Sequence, residues 1–406
     1  MARSTVVETH AAPIIPESIL TNVNPTEIAV AVAGFGWMGR VHTNAYLRQR
    51  QHFPEAPSIR LGAVADEVPG RAEEAAAQFG FGAALTDWRD IAADENIDAV
   101  SITAPNFLHR EIGVAMAEAG KHIWIEKPVG LSSEDAKAVA AAVEKAGVQS
   151  TVGFNYRNAP AVAMAHDLIA AGELGTITHS RFRFLSDYAA HPDGALSWRY
   201  ENARGGSGVL GDLASHGVDL VRYLLGDIDA VVADTAIFIP QRAIPTGATS
   251  GHARATGGKL GPVENDDFVS ALVRLSSGGR VTLDASRVAV GEQNNYGFEI
   301  HGTKGAVYWD FRRMNELGTS LGSTYQDQSI TTVWVGPDAG AYARFQPGSA
   351  SSMSYDDLKV IEGNNFIASI VDGKPRGATI ADAVAAAETL DAITASVASR
   401  AWVDVR

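Results

Sequence analysis

The sequence predicts an α/β protein in two units, a doubly wound parallel sheet over the first 155 residues and an α+β unit with an antiparallel sheet beyond them. Three observations carry this. Short apolar runs alternate with helical stretches as far as residue 154. From there on, runs of alternating character are joined by short turns, which is how antiparallel strands connect. A glycine-rich turn, Gly34-Phe35-Gly36-Trp37-Met38-Gly39, follows the first apolar run and leads into the first helix.

The run over 28–33, all small or β-branched, reads as a strand buried on both faces. A helix over 40–49 and a loop over 51–58 follow, then a strand over 59–65 that ends in Asp66. The same reasoning places helices over 71–79 and 88–93, a strand over 99–102, a helix over 109–119 and a strand over 122–125. A helix over 133–146 and a strand over 149–154 close the first unit. The second opens with a helix over 161–171 and strands over 177–184 and 230–239. Two hairpins follow, 268–275 with 280–286 about the turn Ser276-Ser277-Gly278-Gly279, and 296–302 with 306–310. Helices over 356–371 and 380–399 end the chain. The stretches over 240–262 and 337–354 are too long for plain connectors and read as lids or contact arms. The division expected is a polar extension over 1–24, a dinucleotide-binding unit over 25–155, an α+β unit over 156–380, and a closing helix and tail over 381–406 that pack back toward the first unit.

The 406 residues carry 33 Lys and Arg against 47 Asp and Glu, a net charge of −14. That balance lacks the basic footprint needed for nucleic acid or an anionic membrane. With no cysteine, a disulfide scaffold, a cysteine-ligated metal and thiol catalysis are all excluded. Hydrophobic residues at 46% and charged residues at 20% describe a globular chain with ordinary cores. No apolar run approaches the ~18 residues that cross a bilayer. The expectation is a cytoplasmic protein.

The glycine turn has the strand-turn-helix context that gives G-x-G-x-x-G its mechanism. Gly34 permits the tight turn, Gly36 admits a pyrophosphate, and Gly39 lets helix and strand pack closely, with phosphates at the helix N-terminus. Asp66, at the end of the next strand, would accept hydrogen bonds from a ribose 2′-hydroxyl and repel a 2′-phosphate. NAD is therefore expected, with NADP disfavoured, although Arg71 is near enough to soften the preference. Asp66 lies farther from Gly39 than the usual ~20 residues, and the surplus falls in an insertion over 49–58 that carries Pro54 and Pro57.

Glu126-Lys127-Pro128 ends the strand over 122–125, and residues past the carboxyl ends of parallel strands face the ligand crevice. After Gly205-Gly206-Ser207-Gly208 come Asp212 and His216, which share one face of a helix at that spacing. The face continues to Asp219 and reads as a cavity wall. Oxidising an alcohol requires a base for the hydroxyl proton and a positive group beside the developing alkoxide, roles that suit imidazole and ammonium. Asp212 would fix the substrate hydroxyls or the imidazole. No metal is expected, because the eleven histidines contain no H-x-x-x-H pair and hydride transfer to nicotinamide needs no metal ion.

Taken together, these segments resemble the Gfo/Idh/MocA oxidoreductases, the family of glucose-fructose oxidoreductase and inositol dehydrogenase. The matching pieces also include Thr103-Ala104-Pro105-Asn106 with His109, Gly153-Phe154-Asn155-Tyr156-Arg157, and Glu299-Ile300-His301-Gly302-Thr303-Lys304-Gly305. The resemblance implies a Rossmann domain followed by an open-faced, mainly antiparallel sheet whose exposed face joins copies into a homodimer or homotetramer. It implies Lys127, Asp212 and His216 as the catalytic trio, with His216 the base. Cofactor contacts would come from Gly34, Gly36, Trp37, Met38, Gly39, Asp66, Thr103, Pro105, Asn106, His109, Glu126, Lys127 and Arg157, the last near the nicotinamide. Tyr156 would join the trio at the substrate. The segments around Trp198 and over 205–208 are most similar to members that act on anhydrosugars, so Trp198 would face a pyranose ring. The implied activity is NAD-dependent oxidation of a secondary ring hydroxyl of a sugar, anhydrosugar, glucoside or cyclitol. Two rivals share the fold, an NAD-dependent glycosidase working by transient oxidation and a non-catalytic regulator, and retention of the whole trio argues against the second.

Overall fold

A computed structural model describes residues 27–245, 254–255, 258–337 and 340–405. The extension over 1–24 and parts of both long stretches lie outside the described residues. The first sheet is formed by β1 (Glu27–Ala33), β2 (Ser58–Ala65), β3 (Ala83–Leu85), β4 (Ala99–Ile102), β5 (His122–Ile125) and β6 (Ser150–Val152). All six are parallel, in the order β3-β2-β1-β4-β5-β6. β1 is buried from Ile28 to Ala33, as a strand covered on both faces must be. The order reverses between β1 and β4, which opens a crevice at the carboxyl ends of these strands.

The connecting helices are α1 (Trp37–His52), α2 (Arg71–Phe79), α3 (Arg89–Ala93), α4 (Asn106–Glu118) and α5 (Ser133–Ala146). Two of them begin three residues earlier than the sequence suggests. α1 starts inside the glycine turn and runs on to His52, so part of the presumed loop over 51–58 is helical. β3 has no sequence signature, since it is three residues long and two of its side chains are exposed.

The second sheet holds nine strands in the order β16-β15-β14-β13-β7-β12-β11-β8-β17. They are β7 (Ile177–Leu185), β8 (Ile228–Ala236), β11 (Phe268–Leu275), β12 (Arg280–Ser286), β13 (Asn295–Gly302), β14 (Gly305–Asp310), β15 (Glu316–Leu321), β16 (Thr331–Trp334) and β17 (Val403–Asp404). A separate small pair is β9 (Gln241–Ala243) with β10 (Leu260–Pro262). Within the nine, only β7 and β12 run parallel, so the sheet is mainly antiparallel as expected. One face, including Phe182, Phe184, Val269 and Val273, is buried. The other leaves Arg181, Leu272 and Arg280 exposed. α6 (Pro160–Ala170), the single turn α7 (Asn202–Gly205) and α8 (Ser215–Leu225) belong to this half, and α8 packs against β7.

The last two helices bind the halves together. α9 (Tyr355–Asp372) packs along α1 and against β5, and α10 (Ile380–Ser399) lies between α5 of the first half and β8 of the second. The tail after α10 does not return to the Rossmann sheet, because Val403–Asp404 pairs with β8. Both helices open on a capping box, Ser354 with Asp357 and Thr379 with Asp382.

Arg157 departs from expectation. Its Nε lies 3.1 and 3.0 Å from the two carboxylate oxygens of Asp219 on α8. One terminal nitrogen is 3.0 Å from Asp382 on α10, and the guanidinium covers the Tyr223 ring at 4.9 Å. With Nε and one terminal nitrogen committed to these carboxylates, Arg157 fastens α8 to α10. Asp219 is 2% exposed and belongs to the same fastener, so the face it shares with Asp212 and His216 in sequence is packed there rather than open. Arg157→Met would leave the Asp219 carboxylate buried without its cation. It is expected to cost about 3 kcal/mol or more of unfolding free energy, read from urea denaturation, while NADH affinity measured by fluorescence stays near that of the parent.

Candidate active site

The phosphate end of the crevice follows from three glycines. Gly34 has φ of +90°, and a Cβ there would stand 2.6 Å from the backbone of Ala104. A Cβ on Gly39 would meet the Gly34 carbonyl oxygen at 2.5 Å, whereas one on Gly36 would meet nothing within 4 Å. The tight turn, the close packing and the open approach therefore fall on the residues expected for them. Among the described residues no side chain caps the first turn of α1, and that turn carries no acidic residue. Its amides remain available to an anion. These features fit a dinucleotide pyrophosphate.

Asp66 stands directly after β2, at its carboxyl end. Its Oδ2 accepts from Phe35 N at 2.7 Å and its Oδ1 from Val68 N at 2.9 Å. Arg71 reaches both oxygens, at 3.2 and 3.3 Å, so it is paired with Asp66 rather than simply solvated. Trp37 is 68% exposed and stacks on Tyr355 of α9 at 5.7 Å, and the Tyr355 hydroxyl donates to the Met38 sulfur. Thr103 donates through its hydroxyl to the Gly34 carbonyl.

Two of the residues expected at the cofactor are turned inward. His109 is 1% exposed, and its ring nitrogens stand 2.7 Å from the carbonyl oxygens of Ala104 and Pro128. It ties the loop containing Pro105 and Asn106 to the turn after Lys127. Glu126 is 6% exposed, and its carboxylate lies against His42 and Lys359. A strand points successive side chains to opposite sides, so Glu126 goes inward and Lys127 faces the crevice.

Lys127, Asp212 and Tyr188 converge. Lys127 Nζ donates to the Asp212 carbonyl at 2.7 Å and lies 3.4 Å from its Oδ1. The Tyr188 hydroxyl donates to Asp212 Oδ2. Asp212 belongs to a π-helical turn over Leu210–Ala214 that runs directly into α8, so its relation to His216 is not that of a regular helix. His216 is 7% exposed, with the Tyr156 ring edge-on at 4.8 Å, and Phe154 and Phe184 close by. Burial first, and then the Lys127 ammonium, pushes this imidazole well below its ordinary value, so it is neutral at pH 7. Tyr296 donates its hydroxyl to the His216 carbonyl at 2.7 Å and fixes the backbone.

Trp198 lines a small cavity with Asn106, Tyr188, Arg199, Tyr200 and Asp212. A larger cavity of about 410 Å³ lies behind the 205–208 run, between Leu131 and Asp391, and is lined by none of the trio. Sequence reasoning missed Lys359, His42 and Glu362 beneath the catalytic strand. Nothing in the pattern of α1 or α9 sets these three apart from surface residues. Donor atoms of His42, Glu126 and Glu362 lie within 4.8 Å of one another, and the Lys359 ammonium, against both carboxylates, is the cation of the cluster.

The glycine turn at the switch point and the Lys127–Asp212 pair beside a neutral imidazole define a dinucleotide-dependent oxidoreductase. Residues 28–154 match the oxidoreductase family with an NAD-binding Rossmann fold, and residues 162–308 match the Gfo/Idh/MocA C-terminal domain. The chain belongs to the Gfo/Idh/MocA family. It is 39% identical to the levoglucosan dehydrogenase of Pseudarthrobacter phenanthrenivorans, over 93% of this chain and 97% of that one. It is 27% identical to the inositol 2-dehydrogenase of Rhizobium meliloti, over 93% and 99%. A solved levoglucosan dehydrogenase in complex with NADH superposes with a TM-score of 0.88 at 37% identity, covering 94% of this chain and 99% of that one. Among the described residues no helix is long and apolar enough to cross a membrane.

Asp66→Ala tests the ribose contact expected of this carboxylate and releases Arg71. The ratio of kcat/KM with NAD to that with NADP is expected to fall by about tenfold or more, since a lost charge-assisted hydrogen bond is worth ~1.5–3 kcal/mol; an unchanged ratio overturns the assignment.

Proposed function

We propose that the chain is an NAD-dependent dehydrogenase that oxidises a secondary ring hydroxyl of a sugar, anhydrosugar or cyclitol. The observation that carries the reading is the Lys127 ammonium, held by the Asp212 carbonyl and carboxylate beside a buried neutral His216 at the strand switch point. The relatives named levoglucosan and inositol dehydrogenase support the substrate class. When bound, NAD supplies the hydride acceptor. His216 takes the hydroxyl proton at a ring nitrogen, which requires the neutral imidazole that burial favours. Lys127 donates to the same oxygen as its charge grows. Asp212, tied to Tyr188, holds Lys127 in place and accepts from a neighbouring hydroxyl. Trp198 gives an apolar face against which a ring stacks, while Tyr156, buried among aromatic rings, backs His216. Asp66 favours NAD over NADP. The reading extends to a homodimer or homotetramer meeting through the open sheet face, where Leu272 and Phe238 stand exposed.

A panel of anhydrosugars, hexoses, glucosides and inositols assayed for NAD reduction tests the reading. NADH accumulating with one of them, without release of an aglycone, supports it, and no reduction with any overturns it. Lys127→Met is expected to keep NADH binding by fluorescence and lose turnover by about 100-fold or more. The acid limb of kcat/KM is expected below the ordinary histidine value of 6.5, because a lowered pKa keeps His216 unprotonated into more acid solution; a limb above that value removes His216 as the base.

A further inference from the structure

Beneath the catalytic turn lies a buried charge cluster that the proposed chemistry does not use. Lys359 on α9 is fully buried, with Nζ 2.5 Å from Glu126 Oε1 and 2.7 Å from Glu362 Oε1. Glu126 Oε1 is also 2.9 Å from His42 Nε2, and His42 Nδ1 is 3.1 Å from the Ser101 hydroxyl, which Tyr46 reaches at 2.9 Å. Trp124 Nε1 donates to Glu362 Oε1 at 2.8 Å, and the indole stacks on His42 at 3.7 Å. The groups come from α1, β4, β5 with the residue that follows it, and α9, which enclose the ammonium.

We infer that Lys359 is a positioning residue for Lys127, its ammonium keeping Glu126 ionised and turned inward so that the end of β5 delivers Lys127 to Asp212 and the substrate oxygen. The inference rests on the reading that Lys127 acts on substrate. Glu126 and Lys127 are consecutive, and Glu126 Oε2 lies 3.3 Å from the Lys127 amide. Space for the carboxylate exists because residue 153 is glycine, since a Cβ there would come within 2.5 Å of both carboxylate oxygens. A carboxylate so placed must have a cation beside it or take up a proton. Burial alone would raise the Glu126 carboxyl, but the Lys359 charge and the His42 hydrogen bond outweigh it and hold the group low. Burial lowers His42 to about 4 and raises Glu362 to about 7, so in mildly acid solution Glu126 is the carboxylate that balances Lys359. Tyr46 and Tyr355, the other titratable groups here, stay protonated. A buried pair of this kind is poor at adding stability and better at fixing an arrangement.

The test is Lys359→Met in the full chain, with NADH affinity, thermal unfolding and the pH profile of kcat/KM measured together. Glu126, deprived of its cation, titrates at higher pH. The acid limb is therefore expected to move up by about half a unit or more. Turnover should fall about tenfold or more from misplacement of Lys127, while NADH affinity stays within about threefold. A folded variant with an unmoved acid limb and turnover within about twofold overturns the inference. Should Lys359→Met fail to fold, the double variant Lys359→Met, Glu126→Gln removes the unpaired carboxylate. It is expected to fold, to keep the parental acid limb, and to remain about tenfold or more slower; turnover within about twofold overturns the inference. If Lys127→Met itself retains turnover, the underlying reading has failed; if Lys127→Met is inactive and Lys359→Met is not, only this inference has.

Discussion

The carboxyl end of β5 forces two charged neighbours apart. An extended chain must send consecutive side chains to opposite sides, and here one side is the interior of the molecule and the other is the crevice. Glu126 takes the inward position and meets Lys359 and His42, while Lys127 takes the outward one and meets Asp212. Neither placement is available without the other. An inward carboxylate demands a buried cation, and the cation is supplied by a helix more than two hundred residues later in the chain. The placement of Lys127 is thereby linked to the packing of α9 on the first sheet.

Electrostatics in this chain are local rather than global. A molecule of net charge −14 repels an anionic dinucleotide at long range, so retention must come from contacts within the crevice. The groups placed to make such contacts are the amides at the start of α1, left open because Gly36 has no side chain, with the Lys127 ammonium farther along. The same ammonium helps to keep His216 neutral, although burial among Tyr156, Phe154 and Phe184 is the larger cause.

Regular elements with strong periods and clear ends were legible to the residue. The helices Arg71–Phe79, Ser133–Ala146 and Ile380–Ser399 and the strands Ala99–Ile102, His122–Ile125, Phe268–Leu275 and Arg280–Ser286 coincide with their expected bounds. β15, β16 and β17 were not foreseen. β16 and β17 are short, partly exposed and at the sheet edges, where burial imposes little pattern. In the site, residue type and chain position were legible, and side-chain direction was not. Arg157, His109 and Glu126 lie in the segments expected to touch cofactor, yet each spends its polar atoms on the interior. Asp212 and His216 were grouped by helical spacing, although a π-turn intervenes. Lys359 carried no signal at all, since a lysine in an amphipathic helix ordinarily belongs to the surface.

The position of His216 relative to Lys127 is a question of how two sheets are held, because the two residues come from different halves of the chain. α9 fixes the first half at two places, through Tyr355 stacked on Trp37 in the phosphate turn and through Lys359 on the strand that delivers Lys127. Tyr355 also meets the edge of Tyr156, whose ring stands against His216. α10 fixes the second half, its Asp382 holding the Arg157 guanidinium that grips Asp219 three residues beyond His216 on α8. α10 thus joins the two units, packing on α5 and on β8, while α9 seats on α1 and β5 of the first. The relative placement of Lys127 and His216 therefore depends on α9 and α10, although neither helix bears a group of the trio.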